Sequence, residues 1–341
     1  MSRILPLLLA PLLLLAVLWS SLWWWSATRL EQQFQQWQAR EAARGREFHF
    51  TDVEVGGFPT HLRLSFSEVT MSDPSGWYWR GPAAVAESPL WQPRQVRLEF
   101  PGTHEFRPPE ASMLAPLELA TGVAQGELWL DRQGRIESMW LEFERLALAG
   151  YFAGATMARE LQLAWGKTAL QERGEMPAVD ATPFMLELED LELPSAAEPP
   201  LGRSLDRLLA RGSLEGWSGF EPPLAESIPA WAQQGGAVKL EEIALFWGPL
   251  RLEGNATLTL DDKARPLGAG TARILGFEAT LDAFTEAGLV QEEVTEVARF
   301  ALLAMSSEDG QGHRQLKAPV TAQDGMLRVG PLPLFPLPPL F

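Results

Sequence analysis

Cysteine is absent from the 341 residues. That excludes a disulfide framework and thiolate metal sites but leaves the compartment open, since an exported protein need not use disulfides. Histidine is nearly absent: His49, His61, His104 and His313 are all there is. No two of them stand three or four residues apart, the helical spacing that brings two imidazoles to one metal. His49 and His61 fall opposite their apolar neighbours in a strand pattern, and surface positions are expected for all four. There is no G-x-G-x-x-G after a strand, no P-loop lysine and no G-x-S-x-G elbow, so nucleotide and nucleophilic chemistry have no foothold. Positive charge is also short, with 28 Lys and Arg against 44 Asp and Glu and a net charge of −16. Affinity for nucleic acid comes mainly from cations that neutralise phosphates, so nucleic acid is not an expected partner. No catalytic residue, metal or cofactor is expected.

What is present is a folded, strand-rich pattern. A hydrophobic fraction of 46% and 14 Trp are incompatible with a disordered chain. In the stretch from Val53 to Met71, Leu62, Leu64 and Phe66 alternate with polar residues, and after Ser67-Glu68 the alternation resumes on the other parity at Val69 and Met71. Period two marks a strand with one buried face, and one extra residue in the middle predicts a β-bulge that keeps both halves on the same core. The pattern recurs with a polar pair at each slip. Phe48, Phe50, Val53 and Val55 surround Thr51-Asp52; Leu141, Phe143, Leu146 and Leu148 surround Glu144-Arg145. Leu186, Leu188, Leu191 and Leu193 surround Glu189-Asp190, and Val238, Leu240, Ile243 and Leu245 surround Glu241-Glu242.

At the amino terminus, Ile4 to Trp25 carries no charge and exceeds the roughly 20 residues that span a bilayer as a helix. Trp19, Trp23, Trp24 and Trp25 gather at its far end, where amphipathic rings prefer the head-group boundary. Trp25 also stands where a signal-peptide cleavage site needs a small residue, so an uncleaved anchor over residues 1–26 is expected. Arg29, Arg40, Arg44 and Arg46 follow the span and oppose export by a literal positive-inside count, but long domains translocate largely regardless of flanking charge. The expected location is therefore the bacterial inner membrane, single-pass, with the bulk of the chain in the periplasm. Leu30, Phe34 and Trp37 predict an amphipathic juxtamembrane helix over 27–46, ending near Gly45.

Beyond it the pattern predicts a β-rich half over 47–194, a Pro-rich linker over 195–202 and a second β-rich half with helices over 203–330. The tail, 331–341, reads as polyproline-like. In the second half Ser204 is expected to cap a short helix carrying Leu205, Leu208 and Leu209. Another is expected over Leu224–Gln234, and one longer helix through Leu281, Phe284, Val290, Val294, Val297 and Ala301. The fold class is α+β, mainly β: bent antiparallel sheet, either groove-like or sandwich, with a few covering helices on one membrane helix.

The stretches GGFPTHLRLSFSEV, DPSGWYWRGP, WQPRQVRLEFPG and WGPLRLEGNATLTLDDKARPLGAG together resemble an uncharacterised bacterial family, domain of unknown function 2125. The resemblance runs from the first strand to near the carboxyl end and implies an anchored envelope protein with no catalytic residues to carry over. The segment LEGNATLTLDDKARPLGAGTARILGFEATLDAFTEAG and the closing LKAPVTAQDGMLRVGPLPL are also similar to the carboxyl portion of AsmA-like proteins. That similarity implies a long bent sheet whose apolar face holds lipid chains, linked to envelope lipid balance.

Acidic pairs such as Glu187 and Glu189 share a strand face at a spacing a glycosidase can use. They also alternate with leucines as the wet face of any half-buried strand does. The leading expectation is non-enzymatic binding or transfer of a lipid or other hydrophobic ligand, with Leu62, Leu64, Phe66, Leu186, Leu188, Leu240 and Leu245 as inward contacts. The alternatives are a scaffold that docks another envelope protein through its tail and juxtamembrane helix, and a carboxylate-dependent hydrolase.

Overall fold

A computed structural model describes residues 4–109, 117–152, 154–172, 174, 181–194, 198–217, 224–308, 312, 314–330 and 332–340. Residues 4–12, 151–152, 154, 224–226, 293–294 and 332–335 are described by backbone alone. His313 lies outside the described residues. The chain forms two compact units, Met1–Glu137 and Ser138–Phe341, and each is mainly antiparallel β.

The first unit opens with one helix, α1 (Ile4–Ala43), so the expected anchor and juxtamembrane helix are a single continuous element. It ends two residues before Gly45, whose φ of 78° suits glycine. Among the described residues no helix is long and apolar enough to cross a membrane. The expected span begins in residues 4–12, for which only the backbone is described. Strands β1 (Glu47–His49), β2 (Asp52–Gly56), β3 (His61–Ser72), β4 (Tyr78–Pro89), β5 (Gln95–Glu99), β6 (Thr103–Arg107), β7 (Leu117–Ala120) and β8 (Val123–Leu130) follow. β3 pairs with β1 and β2 on one side and with β4 on the other. β4 then pairs with both β5 and β6, which Pro101-Gly102 separates.

The second unit comprises β9 (Ile136–Phe152), β10 (Gly154–Trp165), α2 (Lys167–Gln171), β11 (Thr182–Glu192), β12 (Ser204–Glu215), α3 (Leu224–Gln233), β13 (Ala237–Trp247), β14 (Leu250–Leu260), β15 (Pro266–Leu275), α4 (Phe277–Glu286), α5 (Glu292–Met305), β16 (Ser306–Glu308), β17 (Arg314–Gln323), β18 (Met326–Val329) and β19 (Leu332–Pro336). From β9 to β15 each strand pairs with the next; β15 passes over to β17, and β18 and β19 complete the ladder. Residues 195–202, expected as a linker between halves, connect β11 and β12, which pair with each other. The division between units falls at Glu137 and Ser138 instead.

The slips in the sequence are real, but most are not bulges. Glu68, Arg145 and Asp190 adopt left-handed backbone, at φ of 53°, 51° and 50°. Ser67 pairs with Ala83 and Val69 with Gly81, so no residue is added to either strand. The neighbours change parity at the same level, Phe50 to Val53 on one side and Gly81 to Ala84 on the other. The result is a crease shared by adjacent strands. Of these slips, the one at Glu241-Glu242 does set two residues against one, between the pairs Leu240–Ala256 and Ile243–Gly254, which is a bulge.

Four expectations need correction. Ser204–Glu215 is a strand, not a capped helix. Leu205 and Leu208 flank the crease, opposite Leu191 and Leu188, and a parity change imitates the i, i+3 spacing of a helix. The long helix is two, α4 and α5, because Gly288 turns the chain at φ 71° and the amides of Leu289 and Val290 both bond to the Phe284 carbonyl. The tail is a strand at its start: β19 pairs with β18, as an edge strand rich in proline can. His104 is buried at 2% exposure, stacked on Trp79 at 5.8 Å with Nε2 3.1 Å from the Phe100 carbonyl.

Each unit has a core of its own. In the first unit Leu64, Phe66 and Val69 pack with Leu30 and Phe34 of α1 and with Phe48, Phe50, Val53 and Val55. In the second, Phe277, Leu316, Ala318 and Val329 pack with Ile274, Leu302, Leu303 and Met305.

Candidate functional site

Antiparallel register decides which side chains stand side by side across the second unit. Phe143 is opposite Leu161, which is opposite Leu188, then Leu208, Leu245, Leu252, Ile274 and Leu316. Directly opposed side chains share a face, so this is an unbroken apolar row across eight strands. Seven steps of about 4.8 Å give it a length of about 34 Å. One pleat away runs a second row of Leu141, Leu163, Leu186, Ala210, Ile243, Gly254, Ala272 and Ala318. α4 and α5 seal this face where it reaches β15 and β17. Over β9 to β13 its leucines remain half-buried.

The opposite face carries charge. Its central row reads Glu142, Gln162, Glu187, Leu209, Ala244, Glu253, Arg273 and Lys317. Arg207 donates to Glu187 at 2.6 and 2.9 Å, Arg273 binds Glu253, and Arg159 grips Asp190 at 2.6 Å together with Glu189. Hydrogen bonds to Asp190 and Glu189 hold the Arg159 proton above the usual arginine range. Both carboxylates considered for hydrolysis, Glu187 and Glu189, are thus engaged by arginines. A hollow of about 720 Å³ opens on this side, bordered by Arg207, Glu242, Phe246, Glu253, Arg273 and Lys317. A second of about 320 Å³ lies among Trp140, Glu142, Gln162, Met185, Glu187 and Arg211. Both hollows lie on the charged side of the sheet, away from the leucine rows. No cluster of metal-ligating side chains occurs among the described residues.

The sequence candidates divide. Leu186, Leu188, Leu240 and Leu245 are half-buried on the apolar face, with Leu240 beside Gly212 and Ala256. Leu64 and Phe66 are each only 8% exposed, sealed beneath α1 by Phe34, whose ring lies 5.1 Å from that of Phe66. Leu62 is half-buried opposite Ser88. Reasoning from single strands missed Leu161, Leu208, Leu252, Ile274 and Leu316. Register identifies them: the tight turn at Asp261–Arg265 fixes β14 against β15 and thereby places Leu252 beside Ile274.

The tryptophans expected at a membrane boundary also divide. Trp24 and Trp25 are 71% and 57% exposed, while the indoles of Trp19 and Trp23 donate to the carbonyls of Pro59 and His61, each at 2.7 Å.

A family model described as an uncharacterized protein conserved in bacteria, DUF2125, matches residues 23–338. No curated protein and no solved structure matches.

Proposed function

Because the chain belongs to the DUF2125 family of bacterial proteins, we propose that it is a membrane-anchored envelope protein that holds a lipid acyl chain on its leucine face. The observation that carries this is the row from Phe143 to Leu316, half-buried over β9 to β13 and sealed by α4 and α5 where it reaches β15 and β17. A bilayer core of about 30 Å holds two acyl chains end to end, so a row of about 34 Å exceeds the length of one chain. Each methylene removed from water contributes about 0.8 kcal/mol, and a chain of lipid length is held without a charged clamp. The uncharged run Ile4–Trp25 with its terminal tryptophans supports an anchor. The test is purification of the full chain in mild detergent followed by lipid mass spectrometry. A stoichiometric, reproducible lipid is expected. A chain recovered without lipid, or a lipid retained equally by Leu188→Asn/Leu245→Asn, contradicts the reading.

A second reading has its own observation. Leu289, Val297 and Phe300 are 67%, 67% and 77% exposed, so the α4–α5 pair presents apolar side chains outward as well as inward, as a docking surface for another envelope protein does. In-cell crosslinking from position 300 yields a discrete protein adduct if that is its role.

A further inference from the structure

One end of the first unit gathers exposed aromatic rings beside α1. α1 runs alongside β3: Trp19 and Trp23 hydrogen-bond to Pro59 and His61 at the start of the strand, Phe34 packs on Phe66 at its middle, and Gly45 abuts Pro74 beyond its end. The helix from Trp23 to Ala43 and the strand from His61 to Ser72 have similar lengths, about 30 and 36 Å. The part of α1 before Trp19 therefore projects past the β2–β3 loop, and that loop lies level with Trp19 and Trp23. In that loop Phe58 is 57% exposed, with its ring 5.5 Å from Trp23. The β4–β5 loop sits against it: the Leu90 amide donates to the Thr60 carbonyl at 3.0 Å, and Trp91, 61% exposed, lies 5.8 Å from the His61 ring. Residues 55–60 and 88–93 contain no Asp, Glu, Lys or Arg, although the chain as a whole carries −16. Exposed aromatic rings on uncharged loops suit the head-group boundary.

We propose that the β2–β3 and β4–β5 loops insert Phe58 and Trp91 into the same bilayer leaflet boundary that Trp24 and Trp25 occupy. The indole bonds from Trp19 and Trp23 hold the loops at that depth. This rests on the reading of α1 as a membrane anchor. Anchored at two places, the first unit cannot rotate freely about its helix, and the β3–β4 turn with Trp77 is held about 36 Å from the bilayer.

The lack of cysteine allows a direct test. Single-cysteine variants L15C, F58C, T60C, W91C and W77C of the full chain each carry one thiol for an environment-sensitive fluorophore. All five positions are exposed, and circular dichroism checks that each variant folds. The labelled proteins are reconstituted in phosphatidylethanolamine–phosphatidylglycerol vesicles with and without an acyl-chain spin-label quencher. The expected result is loss of fluorescence at 15, 58, 60 and 91, and none at 77. Quenching at 15 with positions 58, 60 and 91 as unaffected as 77 overturns the second contact and leaves the anchor standing. An unquenched position 15 overturns the anchor and the inference together, and equal quenching at 77 means undirected adsorption and also overturns it.

Discussion

Ala264 sits at φ 55° in a turn that the chain uses repeatedly. In Asp261–Arg265 the Asp261 Oδ1 accepts the amides of Lys263 and Arg265, both at 2.9 Å. In Asp131–Arg135 the Asp131 Oδ1 does the same for Gln133 and Arg135. The left-handed position is Gly134 in one and Ala264 in the other. Left-handed backbone costs an L-residue about 1–2 kcal/mol, partly offset by the greater entropy glycine loses on folding. Ala264→Gly is therefore expected to stabilise the chain by about 0.5 kcal/mol in urea denaturation. The carboxyls of these turns lie below the usual Asp range, Asp131 chiefly through the Arg135 amide and Asp261 chiefly through the Arg265 side chain. A depressed folded-state pKa contributes stability above the unfolded value, about 4, and that contribution disappears as pH falls through the folded one. Stability is expected to decline on acidification below about pH 4, with a shallower slope in Asp131→Asn/Asp261→Asn. A methyl group on Gly81 would sit 2.2 Å from His104 Nδ1, so Gly81→Ala should lower stability by about 1–3 kcal/mol, as overpacking does.

Among the elements, the creased strand shows what the sequence reveals and what it hides. The polar pairs at Ser67-Glu68, Glu144-Arg145 and Glu189-Asp190 located the creases to the residue, because a parity change in apolar residues has few other causes. Their nature was hidden: a bulge and a crease leave the same trace in one strand, and only the partner's register separates them. The same ambiguity turned Leu205, Leu208 and Leu209 into an apparent helix. The burial of Leu64 and Phe66 beneath α1 was equally hidden, since periodicity names an inward face but not its cover. Two outcomes follow at this scale. Arg145→Val places a β-branched residue at φ 51° and should cost about 1–2 kcal/mol, whereas Arg145→Gly should be tolerated. Phe34→Ala removes the ring that meets Phe48, Phe50 and Phe66 and should destabilise the first unit by about 3 kcal/mol. Urea titration followed by tryptophan fluorescence measures both.

At the level of the molecule, alternation divides the second unit's ladder into an apolar face and a charged face. Acidic residues opposite leucines, unremarkable within one strand, become a row of Arg–Glu pairs once register is known. The leucines become a track across eight strands. The account rests on that track being where a lipid lies. The most direct measurement is photocrosslinking of the full chain with a lipid bearing a diazirine in its acyl chain, with adduct sites mapped by peptide mass spectrometry. Adducts on Leu161, Leu188, Leu208 and Leu245 are predicted. Adducts confined to α1, or to the face of Glu187, Arg207 and Arg273, would contradict the account.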